Sequence, residues 1–149
     1  MDQVRKFRET LTAAYRRLNA LQRAEKCCYG VTMSQCVTLE TLHQQGRMPI
    51  HSLAEQLGLE SSTMTRVVDV LERDGRVRRV RDESGDRRRV FVLLTSRGRS
   101  LAGKLEDCAD VYCERILARI PPDRRDEVLQ SLALLVEALD DPSDACCPS

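Results

Sequence analysis

Residues 49–95 read PIHSLAEQLGLESSTMTRVVDVLERDGRVRRVRDESGDRRRVFVLLT, and the changes of period within this stretch decide the fold. From Ser52 to Leu57, Leu53, Ala54 and Leu57 recur at helical spacing, and Gly58 offers the backbone freedom of a sharp turn. A second short helix follows, with Met64, Val67, Val68 and Leu71 inward and Ser62, Thr65, Arg66 and Asp69 outward. Two short helices joined by a glycine-containing turn form a helix-turn-helix. Past Gly75 the period changes again. Residues 77–81 and 88–94 read as two strands around Glu83-Ser84-Gly85-Asp86, a β-hairpin wing. The whole is a mainly α fold with a small β element, a winged helix-turn-helix.

An ordinary helical domain with a surface hairpin is the alternative, and the arginines argue against it. Arg73, Arg76, Arg78, Arg79, Arg81, Arg87, Arg88 and Arg89 surround one hairpin. Like charges repel across paired strands, whereas a phosphate backbone rewards them. Ser62, Thr65 and Arg66 stand on the open face as candidates for major-groove contact. Ser61 and Thr63 lie at the positively polarised helix start, where phosphate is favoured. Simple capping is the competing role for these hydroxyls, and Ser61 is available to cap because Glu60 occupies the position before it.

The hairpin sequence Asp86-Arg87-Arg88-Arg89-Val90-Phe91-Val92-Leu93-Leu94-Thr95 fits the D-x-R-x-x-x-V-x-L-T wing signature of the MarR family of bacterial transcriptional regulators. Upstream, LAEQLGLESSTMTRVVDVLERDGRVRR resembles that family's recognition-helix segment, and helix order and length are similar across the chain. The resemblance implies a homodimer reading an inverted-repeat operator on double-stranded DNA, with Arg88 as the wing arginine in the minor groove. Blocking transcription is the family's commoner habit, so a repressor is expected. Arg87 and Arg89 are candidate phosphate contacts, and Asp86 orients a neighbouring arginine.

The rest of the chain supports this stretch. The 149 residues carry a formal net charge of only +1. By segment, residues 1–59 hold +3, residues 60–99 hold +4, and residues 100–149 hold −6, so basic charge gathers over the DNA-facing part. Val4, Phe7, Leu11, Ala14, Leu18 and Leu21 form an apolar stripe on a long N-terminal helix that needs a partner helix. Thr32-Met33-Ser34-Gln35 has the form of a capping box, flanked by Val31 and Cys36. Beyond Thr95, Leu101, Leu105, Cys108, Tyr112 and Ile116 share one side of a further helix, which Pro121-Pro122 breaks. A last helix buries Val128, Leu132, Leu135 and Leu139. The expected division is a dimerisation helix over 1–31, the winged domain over 32–95, and dimerisation helices with a cysteine-containing tail over 96–149. No apolar run spans a bilayer and no signal-peptide pattern is present, so a cytoplasmic protein with no membrane partner is expected.

Seven cysteines are many for such a chain, and disulfide scaffolding is not expected in the cytoplasm. Cys36 and Cys108 occupy apolar-face positions that suit core filling. The vicinal pairs Cys27-Cys28 and Cys146-Cys147 suit thiol sensing, the first pair combining either with Cys36 or equally with a Cys146-Cys147 tail pair from either subunit. Soft ions match thiolates: arsenite, antimonite, Cd²⁺, Hg²⁺ or Zn²⁺, with an iron–sulfur cluster still open. Oxidation of a reactive thiolate is the rival chemistry. A sensor of small phenolic or lipophilic acids with structural cysteines is a further alternative, which the few aromatics (three Tyr, two Phe, no Trp) make less attractive. An enzyme is not expected. His43 and His51 are the only histidines, and neither a Ser-His-Asp order nor a glycine-rich phosphate loop is present.

Overall fold

The computed structural model describes residues 2–22, 28–81 and 89–140, with side chains at positions 21, 22 and 28 left aside. Among the described residues, six α-helices and three short strands follow in order: α1 (Asp2–Gln22), α2 (Met33–Gln45), β1 (Met48–Pro49), α3 (Ile50–Gln56), α4 (Ser61–Arg73), β2 (Val77–Arg81), β3 (Val90–Leu94), α5 (Ser96–Leu117) and α6 (Arg125–Leu139). The chain divides into two units, Met1–Cys108 and Ala109–Ser149.

In the first unit, α2 opens on the expected capping box. Thr32 Oγ1 accepts from the Gln35 amide at 3.3 Å, and Gln35 Oε1 accepts from the Thr32 amide at 3.1 Å, so two otherwise orphaned donors are satisfied. Both helices of the helix-turn-helix end in the same way. After α3 the Gly58 amide donates to Glu55 and the Leu59 amide to Ala54; after α4 the Gly75 amide donates to Glu72 and the Arg76 amide to Leu71. These paired bonds close each last turn, and they require the left-handed backbone of Gly58 (φ 61°) and Gly75 (φ 68°). Chain reversal at both ends of the second helix is therefore written into two glycines.

The inward residues of α4, Met64, Val68 and Leu71, are fully buried, and Val67 nearly so. They meet Leu39 and Leu42 of α2, Leu53 and Ala54 of α3, Val77, Val92 and Leu94 of the sheet, and Ala102 and Leu105 of α5 in one core. Each large side chain sealed there contributes roughly 1.5–3 kcal/mol relative to exposure. Thr38 and Thr41 enter the same interior, and each hydroxyl donates back to a carbonyl one turn earlier, Ser34 and Val37.

The sheet is antiparallel in the order β1-β3-β2. Val77 faces Leu94 and Arg81 faces Val90, as expected for a hairpin; its connecting residues 82–88 lie outside the described residues. The third strand was not anticipated. Met48 and Pro49 pair with Val92 and Phe91. A two-residue edge strand has no period to detect, and Pro49 is tolerated there because an edge leaves its missing donor unneeded.

In the second unit, Pro121 and Pro122 end one helix and start the next through a 3-10 turn, Pro122–Arg124. Arg125 Nε donates to the carbonyls of Leu117 (3.1 Å) and Ile120 (3.2 Å), satisfying groups that the end of α5 leaves open. No residue of α6 is buried: Leu132 and Leu139 lie exposed, with Val128 and Leu135 half-buried. In the first unit, Val4, Phe7, Tyr15 and Leu18 of α1 are likewise exposed. The apolar stripes predicted from spacing exist, and a single chain leaves them largely uncovered. Among the described residues no helix is long and apolar enough to cross a membrane.

Candidate nucleic-acid interface

Burial of Met64, Val67, Val68 and Leu71 fixes the rotation of α4 and presents its opposite face to solvent. Ser61, Ser62, Thr63, Thr65 and Arg66 are all exposed there. Glu60, rather than Ser61, takes the cap position, and its side chain makes no capping bond; Ser61 is the first helical residue. Because the chain is extended at Glu60 (φ −60°, ψ 143°), the helix begins at Ser61, one residue earlier than a Ser61 cap would place it. The first amides of α4 thus have no side-chain acceptor and point out of the helix start, where an anion is favoured. Thr65 Oγ1 donates to the Ser61 carbonyl at 2.9 Å, so its hydroxyl keeps only acceptor capacity for a ligand. Arg66 has no ion-pair partner among the described residues, which leaves its guanidinium free to meet an external acceptor.

The arginines around the hairpin do not all serve one purpose. Arg78, Arg81 and Arg89 are exposed, whereas Arg87 and Arg88 lie outside the described residues. Arg79 turns inward to the back of α4. Its guanidinium bonds both Asp69 and Glu72, and its backbone amide donates to Glu72 at 2.9 Å. Partial burial opposes its charge, but the hydrogen bonds and fields of the two carboxylates outweigh that and raise its pKa. One strand of the wing is thereby clamped to the recognition helix. Counting arginines placed Arg79 with the DNA-directed group; pairing it with the two acids spaced three apart on α4 was the signal that could have separated it. Arg47 was also not singled out: it stacks over the Phe91 ring at 5.0 Å, beside β1.

The base of the wing is locked as well. Thr95, last residue of the wing signature, donates from Oγ1 to the carbonyls of Gly75 (2.8 Å) and Arg76 (3.1 Å) and accepts from the Gly98 amide (3.0 Å). Its own amide donates to Arg76 at 3.0 Å. Gly98 is needed here for space: a Cβ would lie 1.9 Å from the Arg76 carbonyl oxygen.

Of the five cysteines expected to sense, only the side chain of Cys36 lies within the described residues; Cys27, Cys146 and Cys147 lie outside them, as does the Cys28 side chain. Cys36 is buried, with its thiol donating to Glu40 Oε1 at 3.5 Å. Among the described residues no three His, Cys, Asp or Glu side chains converge as for a metal ion. Core filling fails for Cys108, which is disulfide-bonded, while Cys36 and Cys113 carry no disulfide. Its place on α5 is only half-buried, so the sulfur is open to another thiol in a way that Cys36 is not.

A polar-faced second helix, held in register with an arginine-bearing hairpin, defines the winged helix-turn-helix class of DNA-binding proteins. The MarR family profile matches residues 31–90. An HTH-type transcriptional regulator of Bacillus subtilis, YfiV, is 30% identical over 110 residues, which cover 74% of this chain and 68% of YfiV. A MarR transcriptional regulator from Methanosarcina mazei has a similar structure, with TM-score 0.75 at 26% identity over 89% of this chain and 96% of that one. Streptococcus pneumoniae FabT, solved in complex with DNA, shares the fold at TM-score 0.75 and 21% identity, over 92% and 97% of the two chains. The chain belongs to the MarR family of DNA-binding transcriptional regulators, proteins that carry out no catalysis.

Proposed function

We propose that the protein is a cytoplasmic repressor that binds an inverted-repeat operator as a homodimer and is released by an inducer acting on its cysteine thiols. The observation that carries the DNA reading is the open polar face of α4 held at fixed register to the wing by Arg79. In this reading Ser62, Thr65 and Arg66 enter the major groove, Ser61 and Thr63 meet phosphate, Arg88 enters the minor groove, and Arg87 and Arg89 bind the backbone. The exposed apolar residues of α1 and α6 support a second copy as the cover for both helices.

Two inducer chemistries remain within the thiol reading. A thiophilic ion, As(III), Sb(III), Cd²⁺, Hg²⁺ or Zn²⁺, or an iron–sulfur cluster, would be held by Cys27, Cys28 and the Cys146-Cys147 pair; buried Cys36 is the least accessible donor. The disulfide at Cys108 favours oxidation instead. There, two thiols lose two protons and two electrons to a peroxide, which is reduced to water as the sulfur–sulfur bond forms.

The test is a mobility shift on operator DNA with purified protein, with and without arsenite, Cd²⁺ or peroxide. Release by one of these agents, lost in Cys27→Ser/Cys28→Ser or in Cys108→Ser, supports thiol sensing and names the pair. Release only by a phenolic acid, unchanged in both variants, transfers the function to a small-ligand sensor. Arg88→Ala should weaken binding by roughly 1–3 kcal/mol; an unchanged shift across salt concentrations removes Arg88 from the interface.

A further inference from the structure

Between the exit of α4 and the first turns of α5 lies a cleft of about 300 Å³ lined by Tyr29, Arg76, Arg97, Ser100, Leu101 and Lys104. Half of its lining side chains are cationic and none is acidic. Among the described residues Arg76 has one distant counter-charge, Asp74 at 4.0 Å, which also lies 3.7 Å from Arg73. Arg97 and Lys104 have no carboxylate partner among the described residues; Lys104 Nζ instead lies 5.9 Å from the centre of the Tyr29 ring. Tyr29 is held in a left-handed backbone conformation (φ 62°), uncommon for a residue with a side chain. Arg97 and Ser100 also stand at the start of α5, whose positive end adds to the same field. Cations gathered with so little counter-charge among the described residues repel one another, and an anion in the cleft relieves that cost.

DNA is not the occupant this geometry favours. Arg76 follows the C-terminal end of α4, and that helix, thirteen residues beginning at Ser61, is about 20 Å long at 1.5 Å per residue. The volume sits at the lower end of the range for small-molecule sites. Apolar surface is limited to Leu101 and the Tyr29 ring, which suits a hydrophilic body better than a lipophilic acid.

We propose that this cleft binds a compact polyanion of the phosphate-ester class, gripped by Arg76, Arg97 and Lys104 with Ser100 as a hydroxyl donor. Guanidinium forks match phosphate oxygens in pairs, and the ammonium supplies a third direction. A bound phosphate also has a route to the DNA-reading elements. The Arg76 carbonyl is held by Thr95, so a ligand bridging Arg76 to Arg97 and Lys104 ties the end of the recognition helix to α5.

The experiment titrates inorganic pyrophosphate into DNA-free, full-length protein by calorimetry at constant ionic strength, with citrate and benzoate as comparison arms. The expected result is saturable binding of one pyrophosphate per subunit, tighter than citrate, with no benzoate heat. Arg97→Gln/Lys104→Gln, both at exposed positions, should weaken it by more than about tenfold, whereas Arg66→Ala on the DNA face should leave it unchanged. Heat that vanishes when ionic strength is matched, binding unaffected by the double variant, binding lost in Arg66→Ala, or preference for benzoate or citrate each overturns the proposal. Because no DNA is present, failure of the operator reading leaves this result interpretable.

Discussion

Replacing Arg79 by methionine separates a clamp from a DNA contact. Methionine keeps most of the aliphatic stem but removes both ion pairs, and it leaves Asp69 and Glu72 as like charges on adjacent turns of α4. The Arg79 side chain is 26% exposed, against 58% for Asp69 and 38% for Glu72. A shielded hydrogen bond to a charged group contributes roughly 1.5–3 kcal/mol, and an exposed ion pair about 0–1 kcal/mol. Neither partner is fully shielded, so the pair of bonds together should contribute about 1–2 kcal/mol. Urea unfolding of wild type and Arg79→Met at one protein concentration measures that loss, the fixed concentration being needed because a dimer unfolds by mass action. Operator titrations at several salt concentrations supply the second readout. Each phosphate contact contributes about 0.9 to the slope of log K against log salt. A clamp should leave that slope unchanged in Arg79→Met, while Arg66→Ala or Arg88→Ala affects binding directly. A slope lowered by about one contact, with the unfolding midpoint at its wild-type value, would refute the clamp and return Arg79 to the DNA face.

Two further substitutions probe how the reading elements are held. Gly98→Ala brings a methyl against the Arg76 backbone, which cannot swing away, so the cost should reach roughly 1–3 kcal/mol or more; a thermal melt within a degree of wild type would show that α5 slides to make room. Thr32→Ala removes one half of the α2 capping box and should cost about 1 kcal/mol, measurable by urea unfolding, with Thr32→Ser restoring most of it.

The parts of the fold legible in the sequence are those governed by near neighbours. Thr32 and Gln35 are three residues apart, and their reciprocal bonds follow from that spacing alone. Met64, Val67, Val68 and Leu71 share a helical face, so the outward set from Ser61 to Arg66 follows by exclusion. Gly58 and Gly75 mark helix ends because a left-handed residue is a local requirement. The strands of the wing were legible as alternation ending on the Thr95 signature. These arguments use helix and strand periodicity, which the order of residues contains.

What only the tertiary structure decided are meetings between residues distant in sequence, where many pairings are open and packing selects one. Strand β1 exists because Met48 and Pro49 lie beside β3, more than forty positions away. Arg79 was one of eight similar arginines until the packing of β2 on α4 put Asp69 and Glu72 within its reach. Gly98 looked like any helical glycine, yet the Arg76 carbonyl occupies the space of its absent side chain. Cys108 joined a disulfide although its spacing suggested a core position. Arg76, Arg97 and Lys104 form a common charged cleft only once α5 passes the end of α4. Periodicity assigns each residue to a face; which face meets which is settled by closing the core, and that depends on the whole chain at once.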